Sequence, residues 1–281
     1  MINRNNTQLG YYLAGLIEGD GCIYTPKGPL DTSKHVCNPR IQIAFHKNER
    51  PLFELLLSKY QAGGIFHVKE SNVCVYNIAK TDVLIEIVNL INGKFRTPKI
   101  MSLHKAIERI NLKHNLKIPL LPLDKSDINT NPWLSGFTDA DGCFQISLSG
   151  VYGLNNSTSQ KRVRCFFQIK QRLIDKLSKN SCLPFMTELA DFFESKIYYK
   201  SNNAIEFRVQ NNNKHYLTKL YFYKYPLMSS KRYNYLSYRQ GISYLGKKLT
   251  SKEIIEIRNI KNSMNTKRII FEWDHLKDFY V

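Results

Sequence analysis

A nine-residue pattern occurs twice in this 281-residue chain, as Leu13-Ala14-Gly15-Leu16-Ile17-Glu18-Gly19-Asp20-Gly21 and as Leu134-Ser135-Gly136-Phe137-Thr138-Asp139-Ala140-Asp141-Gly142. A cysteine, Cys22 or Cys143, follows each copy. The chain therefore reads as a tandem duplication, and the interval from Asp20 to Asp141 leaves room for one small domain.

The pattern makes sense as a helix with two different sides. Leu13, Leu16 and Ile17, and again Leu134, Phe137 and Thr138, fall at i, i+3 and i+4, so one stripe enters a core. Ala14, Gly15 and Gly19, like Ser135, Gly136 and Ala140, leave small surfaces elsewhere. Glycine within a helix costs about 1 kcal/mol against alanine, so its use in both copies implies that two backbones approach closely. The partner is the other copy. Asp20 and Asp141 then emerge together at the helix C-termini, with Gly21 and Gly142 expected in the left-handed turn that stops a helix. Two carboxylates at two negative helix ends repel one another. A hard divalent cation removes that repulsion, and Mg²⁺ is content with one or two carboxylates plus water and phosphate.

A formal charge of +18 and a pI near 9.6 are the footprint of a polyanionic partner. The basic residues are spread over folded-looking segments, and 43% hydrophobic content is enough for two cores. No apolar run reaches membrane-spanning length, and Met1 to Gln8 is polar, without a signal or transit pattern. Cys22, Cys37, Cys74, Cys143, Cys165 and Cys182 form no C-x-x-C pair, which argues against zinc. Most read as small buried residues.

Strand and helix patterns recur in the same order after each motif. Ile41, Ile43 and Phe45 alternate with Arg40, Gln42 and Ala44; Val163, Cys165, Phe167 and Ile169 alternate with Arg162, Arg164, Gln168 and Lys170. Cys74, Tyr76 and Ile78, then Ile205, Phe207 and Val209, repeat the alternation. Helices are predicted over 51–60, 81–92, 184–193 and 214–223, and a capped one over 250–262. The second copy carries extra loop residues, notably 151–160. The boundaries are a first repeat over 1–117, a polar Pro-bearing linker over 118–131 and a second repeat with a C-terminal helix over 132–281. The fold class is α/β (α+β): two pseudo-symmetric αββαββα repeats, each a curved antiparallel sheet covered by helices.

The two motifs resemble those of single-chain LAGLIDADG homing endonucleases, with the repeats joined at a two-helix interface. Tyr225-Pro226-Leu227-Met228-Ser229-Ser230-Lys231 and Leu249-Thr250-Ser251-Lys252 resemble stretches of members encoded within organellar group I introns. The resemblance runs from about Leu9 to Arg268. It implies a monomer that cuts one phosphodiester on each strand of a long asymmetric duplex and leaves staggered ends. Mg²⁺ is the implied cofactor, and Ca²⁺ can replace it without supporting cleavage. The metal falls to Asp20 and Asp141, helped by the carbonyls of Gly19 and Ala140. Lys99 and Lys231 occupy matching late positions and are candidates to stabilise charge in the transition state. His46 and Gln171 match positions where the family places polar residues that order solvent.

The polar strand faces suit the DNA major groove, where Arg and Lys match guanine edges and Gln and Asn match adenine. The candidate base or phosphate readers are Arg40, Gln42, Lys69, Asn77, Arg162, Arg164, Gln168, Lys170, Arg208 and Gln210. A bias toward Asn, Ile, Lys and Tyr fits an AT-rich, mitochondrial genome. Two alternatives share the scaffold: an RNA-binding intron maturase whose partner is the host group I intron RNA, and a DNA-binding protein without catalysis.

Overall fold

The computed structural model describes residues 4–27, 38–151 and 160–278. Most of the extra 151–160 segment lies outside them, as does Cys37. The first repeat runs α1 (Arg4–Asp20), β1 (Gly21–Tyr24), β2 (Arg40–His46), a 3₁₀ turn (Lys47–Glu49), α2 (Arg50–Tyr60), β3 (Gly64–His67), β4 (Val73–Ile78), α3 (Thr81–Ile91) and α4 (Ile100–His114). The second runs α5 (Trp133–Asp141), β5 (Gly142–Val151), β6 (Gln160–Arg172), α6 (Leu183–Phe192), β7 (Lys196–Lys200), β8 (Ala204–Val209), α7 (His215–Lys224) and α8 (Lys231–Ile242). A final helix, α9 (Ser251–Asn262), starts at a capping box in which Thr250 and Glu253 exchange hydrogen bonds.

Each repeat forms one four-stranded antiparallel sheet, ordered β1-β2-β4-β3 and β5-β6-β8-β7. The registers superimpose: Gly21 pairs with Ile43 and Ile43 with Tyr76, as Gly142 pairs with Ile169 and Ile169 with Phe207. The inner face of the first sheet, Ile23, Ile41, Ile43, Phe45, Tyr76 and Ile78, is buried against Leu52, Phe53 and Leu56 of α2 and the apolar stripe of α3. The second core is built of aromatic rings. Phe144 stacks on Phe167 at 4.9 Å, and Phe193 and Phe222 meet Phe167 edge-on.

The expected strands and helices form within a residue or two of their expected ends. Two further helices also form: α4, whose Ile100, Leu103, Ala106, Ile107 and Ile110 are buried at helical spacing, and α8, whose buried side is Asn234, Tyr235, Ser237, Tyr238 and Gly241. Each repeat is thus one helix longer than αββαββα.

The repeats meet through α1 and α5. A Cβ on Gly15 would lie 2.0 Å from the Trp133 carbonyl oxygen, and one on Gly136 would lie 1.9 Å from that of Tyr12. Real atoms do not approach so closely, so only glycine lets these backbones touch. Ala14 and Ser135 are fully buried beside them, although the Ser135 hydroxyl turns to its own repeat and donates to the Tyr225 carbonyl at 2.5 Å.

Candidate functional site

The α1–α5 contact brings the two motif ends together. A Cβ on Gly19 would sit 2.2 Å from Ala140 Cβ and 3.3 Å from Asp141 Oδ2, so the Asp141 carboxylate lies against the residue that precedes Asp20. Asp20 is open to solvent along its outer edge. Desolvation by the surrounding helix ends, then the nearby Asp141 charge, pushes its carboxyl up to about 6, while Lys231 and Lys99 pull it down. Gln171 Nε2 donates to Asp141 Oδ2 at 2.6 Å. Gly21 and Gly142 do not take the expected left-handed turn: Gly142 is extended at φ −73°, and Gly21 is not among the positive-φ glycines. Their lack of a side chain serves close approach, since a Cβ would lie 2.6 Å from the Ile17 carbonyl oxygen or 2.4 Å from Thr138 Cγ2.

Each helix end is clamped by its own repeat's lysine. Lys99 Nζ donates to the carbonyls of Ile17 (3.0 Å), Gly19 (3.2 Å) and Gly21 (2.7 Å). Lys231 Nζ donates to those of Thr138 (3.2 Å) and Ala140. Ammonium groups there satisfy carbonyls that a helix leaves unpaired and oppose its negative end. Burial draws the Lys99 ammonium below its ordinary value, against Glu18, Asp141 and Asp20, which favour its charge.

The other motif acids, Glu18 and Asp139, are buried and turn away from the shared point. Glu18 accepts from the backbone N–H groups of Arg96 and Thr97 and, at 2.5 Å, from Trp133 Nε1 of the second repeat. Asp139 accepts from the Met228 N–H, the Ser229 hydroxyl and, at 2.8 Å, the Tyr12 hydroxyl of the first repeat. Each acid thus fixes the loop that delivers its repeat's lysine and takes one aromatic donor from the opposite helix. Burial raises both, Glu18 to about 7.

His46 and Gln171 are not counterparts in the sheets. Counting from the paired glycines, Gln171 matches Phe45 and His46 matches Arg172. Phe45 is in the core, stacked on Phe53 at 3.8 Å. His46 faces outward, with its Nδ1 accepting the Asn48 N–H at 3.3 Å. Sequence spacing alone misses this one-residue slip, because the loops between the strands differ in length.

Eight of the ten candidate readers share the outer sheet faces. Gln42 stands between Cys22 and Asn77, and Gln168 between Cys143 and Arg208. Arg40 lies 4.4 Å over the Tyr24 ring, Lys170 is opposite Glu206, and Arg162 and Arg164 extend along the longer second hairpin. Gln210 is one residue past β8 and donates to the Tyr198 hydroxyl; Lys69 sits in the β3–β4 turn, 3.8 Å from Glu70. Asn77 Oδ1, Gln168 Oε1, Arg40 Nε and Arg208 Nε are shielded from solvent and have no hydrogen-bond partner among the described residues. Such groups invite a polar ligand. A cleft of ≈ 900 Å³ on the second repeat, beside Arg208, is lined by Arg162, Arg164, Arg208, Lys247 and Lys248. The two lysines follow α8 in a turn and carry no signal beyond charge. Glu206 is also unforeseen: it is buried on the outer face and paired with Arg208 at 2.6 Å and Lys200 at 3.4 Å.

Among the described residues no group of three or more His, Cys, Asp or Glu side chains converges as a metal site. Two carboxylates with an open side remain, a donor set that suits Mg²⁺ when water and phosphate complete the shell. No described helix is long and apolar enough to cross a membrane.

The two-helix contact, paired sheets and twin acidic termini define a two-repeat LAGLIDADG protein. The LAGLIDADG endonuclease family model matches residues 13–110 and 134–242, and the chain belongs to that family. It is 30% identical to the intron-encoded DNA endonuclease aI3 of Saccharomyces cerevisiae, over 99% of this chain and 74% of that one. Its fold matches the meganuclease I-AabMI bound to uncleaved DNA, with a TM-score of 0.71, 21% identity and coverage of 91% and 99% of the two chains. It also matches I-SmaMI bound to an uncleaved DNA target with calcium ions, with a TM-score of 0.67, 19% identity and coverage of 91% and 98%.

Proposed function

We propose that this chain is a site-specific, Mg²⁺-dependent DNA endonuclease that hydrolyses one phosphodiester on each strand of a long, non-palindromic target and leaves staggered ends. The observation that carries the reading is the meeting of Asp20 and Asp141 between two polar, basic sheet faces. One chain supplies both faces, so the protein acts as a monomer and needs no palindrome. Relatives named as intron-encoded, and the AT-rich residue bias, support a mitochondrial intron as its source.

Asp20 and Asp141 hold the divalent ion. Bound there, it supplies Lewis-acid neutralisation of the charge that builds on the reacting phosphate. The carbonyls of Gly19 and Ala140 already accept hydrogen bonds from Lys99 and Lys231, so the carboxylates carry most of the binding. The two lysines fix the helix ends from which the aspartates project and add positive charge near the phosphate. Gln171 orients the Asp141 carboxylate. His46, on the outer face, is placed to order solvent or touch the backbone of the duplex. The ten candidate readers grip the grooves on either side, with Arg208 held between the Glu206 carboxylate and the Phe166 ring 5.2 Å away.

The test is to incubate the protein with a duplex bearing the joined flanks of its insertion site, in Mg²⁺ and separately in Ca²⁺. The expected result is cutting of both strands in Mg²⁺, binding alone in Ca²⁺, and affinity that falls steeply with salt as counterions are released. Binding without any Mg²⁺-dependent cut rejects the nuclease reading. Preference for the intron RNA over the duplex would favour the maturase.

A further inference from the structure

The two lysine clamps are not equally supported. Glu49 ends the 3₁₀ turn that follows β2 in the first repeat, yet its carboxylate crosses to the second. It accepts the Ser230 backbone N–H at 2.8 Å and the Ser230 hydroxyl. Ser230 precedes α8, so the acid sits at a positive helix end. The next residue is Lys231. Its backbone N–H donates to the Ser229 hydroxyl at 3.1 Å, which itself donates to Asp139, and its ammonium holds the Thr138 and Ala140 carbonyls just before Asp141. A continuous path therefore runs from the outer end of β2 to the Asp141 carboxylate.

The first repeat cannot build the reciprocal path. Pro98 stands before Lys99 where Ser230 stands before Lys231, and proline offers neither an N–H nor a hydroxyl. By sheet register, Asp175 is the counterpart of Glu49. It folds onto its own loop, accepting from the Leu177 N–H (3.0 Å), the Ser178 N–H (2.7 Å) and the Ser178 hydroxyl (2.8 Å). Two unrelated sequence differences thus remove the same contact.

We propose that Glu49 is a positioning residue that couples the first repeat's DNA face to the Lys231–Asp141 side of the site, making the two strand cuts unequal. The inference rests on the nuclease reading for its functional consequence and on geometry alone for the coupling. The carboxylate fixes the start of α8, and α8 fixes the ammonium that aligns the second helix end. On the Lys99–Asp20 side no hydrogen bond from the second repeat reaches Pro98 or Lys99 among the described residues; the loop is met from across the interface by the Arg96–Glu188 ion pair at 3.7 Å, three residues before the lysine.

The experiment uses the full chain, its Glu49→Gln and Ser230→Pro variants, and both changes together. Ser230 has φ −57°, which proline accepts, so this variant gives the second clamp the local sequence of the first. Each strand of the duplex is end-labelled and its nicking rate measured in Mg²⁺; hydrogen exchange is followed over 228–233 and 97–102. In the parent the strand cut from the Lys231–Asp141 side is expected to be nicked about tenfold faster than the other, so that nicked duplex accumulates; each single variant is expected to slow that strand about tenfold, about 1.4 kcal/mol in barrier, and so bring the two rates together. The double variant should match either single one, and exchange should quicken over 228–233 alone. Equal slowing of both strands, or additive effects in the double variant, would overturn the proposal. If the parent binds but cuts neither strand, the nuclease reading falls by itself. The exchange arm then decides the coupling, with unchanged protection at Lys231 refuting it.

Discussion

The two repeats share a skeleton and differ at particular positions on the sheet faces and before the clamping lysines. Glycines at 15 and 136, aromatic donors at 12 and 133, buried acids at 18 and 139 and clamping lysines at 99 and 231 occupy equivalent places. Around this frame Phe45 answers Gln171, Val75 answers Glu206 and Pro98 answers Ser230. The shared parts all lie at the helix contact, where a change in one copy must be accommodated by the other. The sheet faces have no such constraint, because each packs on its own core. A duplicated chain can therefore keep one catalytic centre while its two faces come to read different half-sites.

The largest effects test the shared frame. Gly15→Val and Gly136→Val should each cost more than about 3 kcal/mol, since the added atoms meet the opposite backbone rather than a movable side chain. Urea unfolding measures this. A tolerated change at one site and collapse at the other would break the equivalence of the repeats.

Gln171→Leu tests a difference between them. Losing the amide that donates to Asp141 Oδ2 should slow one strand's nicking roughly 10- to 100-fold, by analogy with other positioning groups. Phe45→Gln, at the matching position, should lower stability by about 3 kcal/mol through loss of a core ring, without creating a second polar partner. Faster cleavage in that variant would contradict the register-based assignment. At smaller scale, Glu206→Ala should weaken duplex binding a few-fold by loosening Arg208, with a gel-shift titration as readout. Val75→Ala should leave binding unchanged.

The smallest effect is one of pH. The Asp20 carboxyl is raised from 3.8 to about 6 in the folded protein, so its charged form destabilises the fold above pH 6. Without metal, Asp20→Asn should raise Tm by roughly 2–4 °C at pH 8, about 1 kcal/mol after solvent screening. The gain should shrink as pH falls below 6 and vanish below about 4, where the carboxyl is neutral in both states. A gain that persists at pH 4 would place its origin elsewhere.

Much of this was legible in the chain itself. Period-two alternation located β2, β4, β6 and β8, and paired glycines located the helix contact, because both follow from burial of one face or one stripe. Helix α8 escaped, since its buried side is tyrosine, serine, asparagine and glycine rather than an apolar stripe. Edge strands β3 and β7 escaped because neither face is deeply buried. In the site, Asp20, Asp141 and the clamping lysines were marked by repetition. Their carbonyl partners were not, nor was Glu49, whose meaning depends on a contact between repeats. The pairing of His46 with Gln171 failed by one residue, and in a sheet one residue exchanges the inner face for the outer.

The central claim is that the Asp20 and Asp141 carboxylates jointly hold the metal that cuts both strands. Its most direct test is to measure double-strand cleavage in Mg²⁺ and duplex affinity in Ca²⁺ for Asp20→Asn and for Asp141→Asn. The account predicts that each variant loses at least about 10³-fold in cleavage and keeps affinity within a few-fold. Retained double-strand cleavage in either variant would contradict it.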